Sequence, residues 1–228
     1  MQLANSSFRV PPFNGRDLDL ELVDPGSVVL IRAYQHPSAD WNPPPAQYRN
    51  NHTDPPMGYS EEFAVLYTAS NIQSSATEVR ALGWDHWTNQ SFWKPALAAR
   101  LQVVRFAVRR PGLFVPLDGA NRKILGLEGK FEPEYESSRW VALDLFRRYG
   151  HLVHGLSYES FHRYQAGRVY AIWHSRKDDM GLAASVDRPY LADDAEFRSF
   201  LRAHPFIRQM SADGTLAPRQ GSVEVAQP

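Results

Sequence analysis

The feature that most constrains the fold of this chain is an apolar run that passes directly into a helical pattern. Residues 63–69 read Phe-Ala-Val-Leu-Tyr-Thr-Ala, which is typical of a buried strand. The polar group Ser-Asn-Ile-Gln at 70–73 can form a capping box for a helix. Apolar residues then recur on one helical face: Ile72, Ala76 and Val79. The pattern predicts a strand with Tyr67 near its end, followed at once by a helix that carries Glu78.

Strands and helices follow one another along the rest of the chain without a regular β–α–β rhythm. Short apolar runs bounded by turn residues predict further strands at 28–33, 101–108, 113–117, 152–158 and 168–173. Helical periodicity predicts helices at about 137–149 and 193–203. This mixture favours an α+β fold.

The chain of 228 residues suits one domain with insertions. Residues 1–27 are predicted to be an irregular lead-in, and 28–210 a single domain. The insertions lie near 35–60, 83–100 and 118–136, and the first of them contains so many prolines that it is predicted to be a long loop. The polar tail at 211–228 is predicted to be flexible.

Composition narrows the classes of partner. The 25 Lys and Arg residues balance 25 Asp and Glu residues, so we expect no direct binding of nucleic acid. Cysteine is absent, which excludes disulfides and thiolate chemistry and suits a cytoplasmic protein. No apolar run approaches the roughly 20 residues of a membrane span, and the first residues do not form a signal peptide. We therefore expect a soluble cytoplasmic protein without a membrane partner.

An arginine, a glutamate and a serine follow one another along the chain, each at or near the end of a predicted element. Arg32 ends a strand, Glu78 lies in the helix after the next strand, and Ser160 follows a strand far downstream. Each residue alone is typical of a solvated surface. Their order and local context carry more information than any one of them.

Four segments together resemble the RES domain family, which is named after its Arg, Glu and Ser. They are Val-Val-Leu-Ile-Arg at 28–32, Gln-Tyr-Arg-Asn at 47–50, the run at 63–70 followed by Glu78, and Gly-Leu-Ser-Tyr-Glu-Ser at 155–160. Members usually carry an aromatic residue directly after each arginine. Here Ala33 precedes Tyr34 after the first arginine, and Asn50 follows the second.

The resemblance implies a fold like that of ADP-ribosyltransferases, with a mixed, mainly antiparallel sheet flanked by helices. It also implies an enzyme that consumes NAD+ by cleaving the nicotinamide–ribose bond, as a glycohydrolase or a phosphorylase. Many members are toxins paired with a helix-turn-helix antitoxin, so such a protein is the expected partner. NAD+ would be a substrate, and neither a permanently bound cofactor nor a metal is expected.

The chemistry of this bond explains the residue types. Nicotinamide leaves as a neutral molecule, so no general acid is needed, and a fixed carboxylate stabilises the ribosyl cation. The resemblance assigns that role to Glu78, with Ser160 orienting it or binding the ribose. Arginine matches phosphate oxygens bidentately, which assigns Arg32 and a second clamp, Arg49, to the pyrophosphate.

Aromatic side chains complete the predicted NAD-binding set. An aromatic face suits the nicotinamide ring, and Tyr67 fits by position. Tyr158 alternates with Ser160 on the predicted strand, so both side chains are expected on one face. Tyr34 is the aromatic residue nearest the first arginine.

Other readings remain open. The same residues could transfer ADP-ribose to a protein, or the chain could be a catalytically silent binding module. In the second case an exposed group of tryptophans would be the partner surface: Trp84, Trp87 and Trp93. The preferred interpretation of these tryptophans is that they pack over the core. The pair His151 and His154 has a short metal-ligand spacing, and surface histidines are the preferred interpretation. A serine hydrolase and a Rossmann oxidoreductase lack their glycine motifs.

Overall fold

A computed structural model describes residues 9–36, 41–85, 87, 89–128, 135–160 and 167–217. In these ranges the strands are β1 (Glu21–Val23), β2 (Val29–Tyr34), β3 (Val65–Ala69), β4 (Leu82–Asp85), β5 (Gln90–Trp93), β6 (Gln102–Ala107), β7 (Gly112–Pro116), β8 (Gly155–Glu159), β9 (Arg168–Trp173), β10 (Ala183–Ala184) and β11 (Arg208–Gln209). The α-helices are α1 (Ile72–Glu78), α2 (Pro95–Ala98), α3 (Gly119–Ile124), α4 (Glu136–Tyr149) and α5 (Ala195–Ala203). No described helix is both long and apolar enough to cross a bilayer.

Eight strands form the main sheet in the order β1-β7-β8-β9-β3-β2-β6-β10. Its neighbouring strands run antiparallel except β7 and β8, which are parallel. A second sheet of three strands has the order β11-β5-β4. The predicted α+β class, with a mixed and mainly antiparallel sheet and flanking helices, is therefore confirmed.

The two faces of the main sheet are covered differently. Leu30 of β2 and Leu66 of β3 belong to one apolar cluster that lies on a single face. On the other face, Val65 of β3 packs in a cluster with α4, whereas Ile31 of β2 packs in a second cluster with α1 and α5. Because successive strand residues point to opposite faces, the alternation of apolar side chains builds both layers. The predicted helix at 193–203 corresponds to α5, whose Phe197 and Phe200 are buried in that second cluster.

The structure differs from the sequence-based prediction where local signals are short. The lead-in, predicted to be irregular, contains β1, whose three residues pair with β7, and the segment from Leu82 to Ala98 contains β4, β5 and α2. The insertion near 118–136 contains α3. Such short elements are stabilised by tertiary partners, which the local sequence does not show. The division into lead-in, domain and tail stays a prediction.

The predicted capping box at 70–73 is wrong. Asn71 is the N-cap of α1, because its Oδ1 accepts a hydrogen bond from the backbone N–H of Ser74 at 2.8 Å. Asparagine is among the strongest N-cap residues, so it takes the position one residue after Ser70.

A gap between β2 and β3 sets the position of the site. These neighbours share a single residue pair, Ile31 with Ala69, whereas β2 pairs with β6 along all six of its residues. Helix α1 lies against the gap: the backbone N–H of Ala33 donates to Ser75 Oγ at 2.8 Å. The strand–helix unit predicted from sequence therefore places α1 beside this gap between β2 and β3.

Candidate functional site

Glu78 lies at the end of α1, where two hydroxyl groups from another part of the chain meet it. The Tyr158 hydroxyl donates to Glu78 Oε2 and the Ser160 hydroxyl to Oε1, each at 3.4 Å. Tyr158 belongs to β8, and Ser160 follows that strand, where its backbone N–H bonds the Gly167 carbonyl. Because the two residues alternate along extended chain, both side chains reach the carboxylate from one face.

The environment of Glu78 favours its neutral form more than water would. Burial raises its pKa to about 7, while the hydrogen bonds from Ser160 and Tyr158 act in the opposite direction. A partly buried carboxylate that is poised near neutrality and oriented by two hydroxyls is typical of a functional site. The same low dielectric makes the ionised carboxylate a strong electrostatic partner for a nearby cation.

Tyr67 and Tyr158 lie on the same face of the sheet, which is the face that α4 covers. Tyr67 pairs with Ala171 of β9, and Tyr158 pairs with Val169 two residues away on that strand. Burial raises the pKa of the Tyr158 hydroxyl well above its usual range, and the charge of Glu78 adds to the effect. Tyr158 therefore stays protonated and acts as a hydrogen-bond donor to Glu78.

The Tyr67 hydroxyl contacts a loop residue that the sequence did not single out. It accepts hydrogen bonds from the Thr53 backbone N–H at 3.2 Å and from Thr53 Oγ1 at 3.0 Å. Asp54 is 2% exposed, and burial raises its pKa. The spacing of Thr53 and Tyr67 in the sequence does not indicate this contact, because a proline-rich loop brings Thr53 to β3.

Arg32 lies at the gap between β2 and β3. Its Nη1 donates to the Tyr67 carbonyl at 2.9 Å, so the guanidinium reaches across the gap to the strand that carries Tyr67. Tyr34 is only 5% exposed and packs in the apolar cluster on the opposite face of the sheet from Tyr67 and Tyr158. The structure thus brings Arg32 to the site strand and leaves Tyr34 in the core.

Arg49 links separate parts of the proline-rich loop through hydrogen bonds from its side chain. Its Nε donates to the Pro44 carbonyl at 3.0 Å, and its Nη1 donates to the carbonyls of Ser60 and Phe63 at 2.7 and 3.2 Å. These bonds connect Pro44, within the loop, to Ser60 and Phe63, which come just before β3. The role that the geometry supports best for Arg49 is the organisation of this loop.

The first turn of α4 holds the same loop from the other side. Ser138 Oγ donates to the His52 carbonyl at 2.7 Å, and Arg139 Nε donates to the Pro55 carbonyl at 3.1 Å. The His52 ring lies 3.6 Å from the ring of Tyr135 and 6.0 Å from that of Tyr158, measured between centroids. Tyr135 has a left-handed backbone (φ 55°), which is uncommon outside glycine. His52 and Tyr135 therefore add two aromatic rings next to Tyr158. Neither residue was predicted from the sequence.

The remaining candidates make other contacts. Trp93 packs edge-on against Phe197, and Trp87, at the turn between β4 and β5, is 96% exposed. His154 Nδ1 accepts a hydrogen bond from the Leu113 backbone N–H at 2.9 Å. Among the residues that the structure describes, no three His, Asp or Glu side chains are grouped as metal ligands.

Comparison with known proteins adds evidence for the fold. No family model matches the chain, and no curated protein matches it in sequence. Solved structures do match: a chain of the M. tuberculosis MbcT–MbcA toxin–antitoxin complex aligns with a TM-score of 0.56 and 15% identity. The alignment covers 77% of this chain and 91% of that one. At this identity the likeness shows a shared fold, so the α+β architecture described above is also that of a chain in a toxin–antitoxin complex.

Proposed function

We propose that this protein is a RES-like enzyme that consumes NAD+ by breaking the bond between nicotinamide and ribose. Four resembling segments in order, Arg32 at the gap in the sheet, and an oriented carboxylate support the proposal. We further propose that it acts in the cytoplasm as the toxin of a toxin–antitoxin pair.

The observation that carries the proposal is the pairing of Glu78 with Tyr158 and Ser160. Two hydroxyl donors fix the two carboxylate oxygens at 3.4 Å each, although their residues lie 80 and 82 positions further along the chain. A carboxylate held in place before the reaction stabilises a developing cation without reorganisation cost. Glu78, Tyr158 and Ser160, which meet in the structure, thus all belong to segments that resemble the family.

The reaction that fits this arrangement needs little proton transfer. The carbon–nitrogen bond breaks, its electron pair passes to the pyridinium nitrogen, and neutral nicotinamide departs. The ribosyl cation, stabilised by Glu78, then takes the oxygen of a water molecule, which releases a proton to solvent, or an oxygen of a phosphate anion. Because Glu78 must be ionised to stabilise the cation, its raised pKa makes the reaction sensitive to pH near neutrality.

Arg32 and Tyr67 provide the proposed binding contacts. The Arg32 guanidinium would bind the pyrophosphate, since a planar fork of donors matches phosphate oxygens. The Tyr67 ring would contact the nicotinamide ring, whereas its hydroxyl is already bonded to the loop. Arg49 would act on the substrate indirectly, by shaping the loop that carries Thr53 and Asp54.

The proposed partner is an antitoxin protein. The fold is shared with a chain from a complex of a toxin with an antitoxin, and this likeness is the support for a protein partner. The helix-turn-helix character of the antitoxin follows from the family resemblance alone. Trp87 is an exposed aromatic residue of the kind that anchors protein interfaces.

Release of nicotinamide from NAD+ by the purified protein tests the enzymatic proposal. We expect release by the wild type and none by Glu78→Ala, with NAD+ binding only modestly weaker in the variant. A dependence on phosphate would identify a phosphorylase, and release without phosphate a hydrolase. Label from NAD+ that enters a lysate protein without free turnover would identify an ADP-ribosyltransferase instead. A wild type with none of these activities would contradict the proposal and favour a silent binding module.

A further inference from the structure

We infer that Asp118 and Arg168 are positioning residues that hold Ser160 within hydrogen-bonding distance of the proposed catalytic carboxylate. The inference deepens the proposed function, and its meaning for catalysis rests on that function. Neither Asp118 nor Arg168 belongs to the four segments that resemble the RES family. The side chain of Arg168 lies on the face of the sheet opposite Tyr158, so it acts on the site through the main chain.

The Asp118 carboxylate holds the residue directly before Ser160. Asp118 occupies the N-cap position of α3, where an aspartate usually accepts a hydrogen bond from the first N–H groups of its own helix. Here Oδ2 accepts from the Glu159 backbone N–H at 2.8 Å. The ladder between β7 and β8 ends two residues earlier, where the Leu117 N–H donates to the Ser157 carbonyl. Asp118 therefore extends the hydrogen bonding of β8 as far as Glu159.

Arg168 in turn fixes the Asp118 carboxylate. Its Nη1 donates to Asp118 Oδ2 at 3.0 Å and its Nη2 to Oδ1 at 3.4 Å. The same guanidinium donates through Nε to Glu21 Oε2 at 2.6 Å and through Nη2 to Ser157 Oγ at 2.9 Å. A planar fork of donors that binds two carboxylates has one orientation. Asp118 is therefore held in the direction of the Glu159 N–H.

The main chain at the start of β9 joins both partners of the site. The Arg168 N–H donates to Ser70 Oγ at 2.9 Å, and the Ser70 N–H donates to the Arg168 carbonyl at 2.8 Å. Ser70 precedes α1, the helix that ends at Glu78. The neighbouring Gly167 carbonyl accepts from the Ser160 N–H at 3.1 Å. Two consecutive residues thus connect Ser160 to the start of the helix that carries Glu78.

Gly167 allows β9 to approach α1 closely enough for this contact. A Cβ atom at Gly167 would overlap Ser74 Oγ and Asn71 Nδ2, both in the first turn of α1. The bond between Ser160 and Glu78, at 3.4 Å, is longer than a usual bond between oxygens. A displacement of a fraction of an ångström would therefore break it, and the chain around Gly167 determines whether it forms.

The titration of Glu78 measures this contact without any substrate. In protein with 13C-labelled glutamate, the Glu78 carboxyl signal is identified by its loss in Glu78→Gln. We expect Asp118→Ala to raise the midpoint of this titration by about 0.5–1 pH unit, because the bond from Ser160 favours the ionised form. Removal of the negative charge alone would lower the midpoint. The direction of the shift therefore separates positioning from a direct charge effect.

A double-mutant cycle with Ser160→Ala identifies the residue through which Asp118 acts. Ser160→Ala should raise the Glu78 midpoint at least as far as Asp118→Ala does, and the double variant should match Ser160→Ala alone. For nicotinamide release at pH 7, kcat/KM should fall about 5- to 20-fold in Asp118→Ala. When Ser160→Ala is already present, the further loss should stay below about twofold.

Three further variants complete the comparison. Asp118→Asn keeps an acceptor for the Glu159 N–H and should shift the Glu78 midpoint less than Asp118→Ala. Arg168→Lys keeps the charge but cannot hold two carboxylates as the fork does, so it should raise the midpoint even if Asp118→Ala fails to fold. Tyr170→Phe is the matched control, because it removes a 2.8 Å bond to Glu21 and leaves the bonds of Asp118 in place. This control should not move the midpoint.

The outcomes separate this inference from the proposed function. An unmoved or lowered Glu78 midpoint in Asp118→Ala, or shifts that add fully to those of Ser160→Ala, would overturn the positioning role, and an active wild type would leave NAD+ cleavage standing. A wild type that shows the coupled rise without cleaving NAD+ would overturn the proposed function and support the contact. Lower thermal stability with an unmoved midpoint would reduce Asp118 to a structural residue and equally overturn the inference.

Discussion

The Tyr158 hydroxyl and Glu78 Oε2 lie 3.4 Å apart, which joins the last turn of α1 to the end of β8. Tyr158 is 2% exposed, so its ring is fixed by the core while its hydroxyl points at the carboxylate. A buried donor of this kind favours the ionised form of Glu78 and sets its direction.

Tyr158→Phe and Ser160→Ala each remove one hydrogen bond that lowers the pKa of Glu78. We expect kcat/KM for nicotinamide release at pH 7 to fall by about 10- to 150-fold in each variant, since such a bond to a charged group contributes about 1.5–3 kcal/mol. The pH profile should move to higher pH. Tyr170→Phe is the matched control, because its hydroxyl donates to Glu21 at 2.8 Å on the opposite face. An unmoved profile in both site variants would refute the assigned contacts.

The pH dependence of kcat/KM in the wild type should reflect the ionisation of Glu78. Its pKa is raised to about 7 and the ionised form is the active one, so kcat/KM should rise about tenfold per pH unit below 7 and level off above. Steady-state nicotinamide release between pH 5 and 9 measures this. Glu78→Gln should be flat at a rate lower by about 10²–10³. A wild-type profile with its midpoint near 4.5 would mean that Glu78 is not desolvated in solution.

Glu78→Gln should stabilise the fold at high pH. The folded pKa lies above the unfolded one, so the wild type binds an extra proton on folding and loses stability as pH rises from about 4.5 to about 7. The penalty is absent at low pH and complete above pH 7, with an upper bound of about 3 kcal/mol. Urea unfolding at pH 5 and pH 8 should show a gain for the variant mainly at pH 8. Equal gains at both pH values would contradict this origin.

Arg32→Ala should weaken binding more than chemistry. We expect KM for NAD+ to rise about 10- to 100-fold and kcat to change by only a few-fold, with Arg32→Lys between the two, because a lysine lacks the bidentate fork. Nicotinamide riboside, which has no phosphate, provides the comparison substrate. Its turnover should be nearly unaffected by the substitution. Equal losses with both substrates would show that Arg32 acts through the Tyr67 carbonyl rather than on phosphate.

Arg49→Ala should mainly destabilise the proline-rich loop, and any weaker binding of the substrate should be a consequence of that. Three main-chain carbonyls lose their donor, so we expect a loss of about 2–4 kcal/mol in unfolding free energy. Faster hydrogen exchange should be confined to the chain between Pro44 and Phe63. Arg148→Ala is the control, because Arg148 makes an i,i+4 pair with Asp144 on the helix surface. Unchanged stability with a large rise in KM would restore Arg49 as a direct phosphate clamp.

The local sequence was sufficient for the strand–helix unit of the site. An apolar run followed by a helical stripe predicts β3 and α1 because hydrophobic periodicity is set by residues only a few positions apart. The alternation of Tyr158 and Ser160 likewise placed both side chains on one face. The family resemblance then supplied the order of Arg32, Glu78 and Ser160, although not their neighbours.

Only the tertiary structure decided which groups surround these residues. Glu78 meets Tyr158 and Ser160 across 80 and 82 positions of chain, and the pKa of its carboxyl depends on burial that no local window contains. The same holds for Thr53, which a proline-rich loop brings to the Tyr67 hydroxyl. Hydrogen bonding and desolvation depend on distance in space, and folding brings together segments whose separation in the sequence carries no trace of that distance.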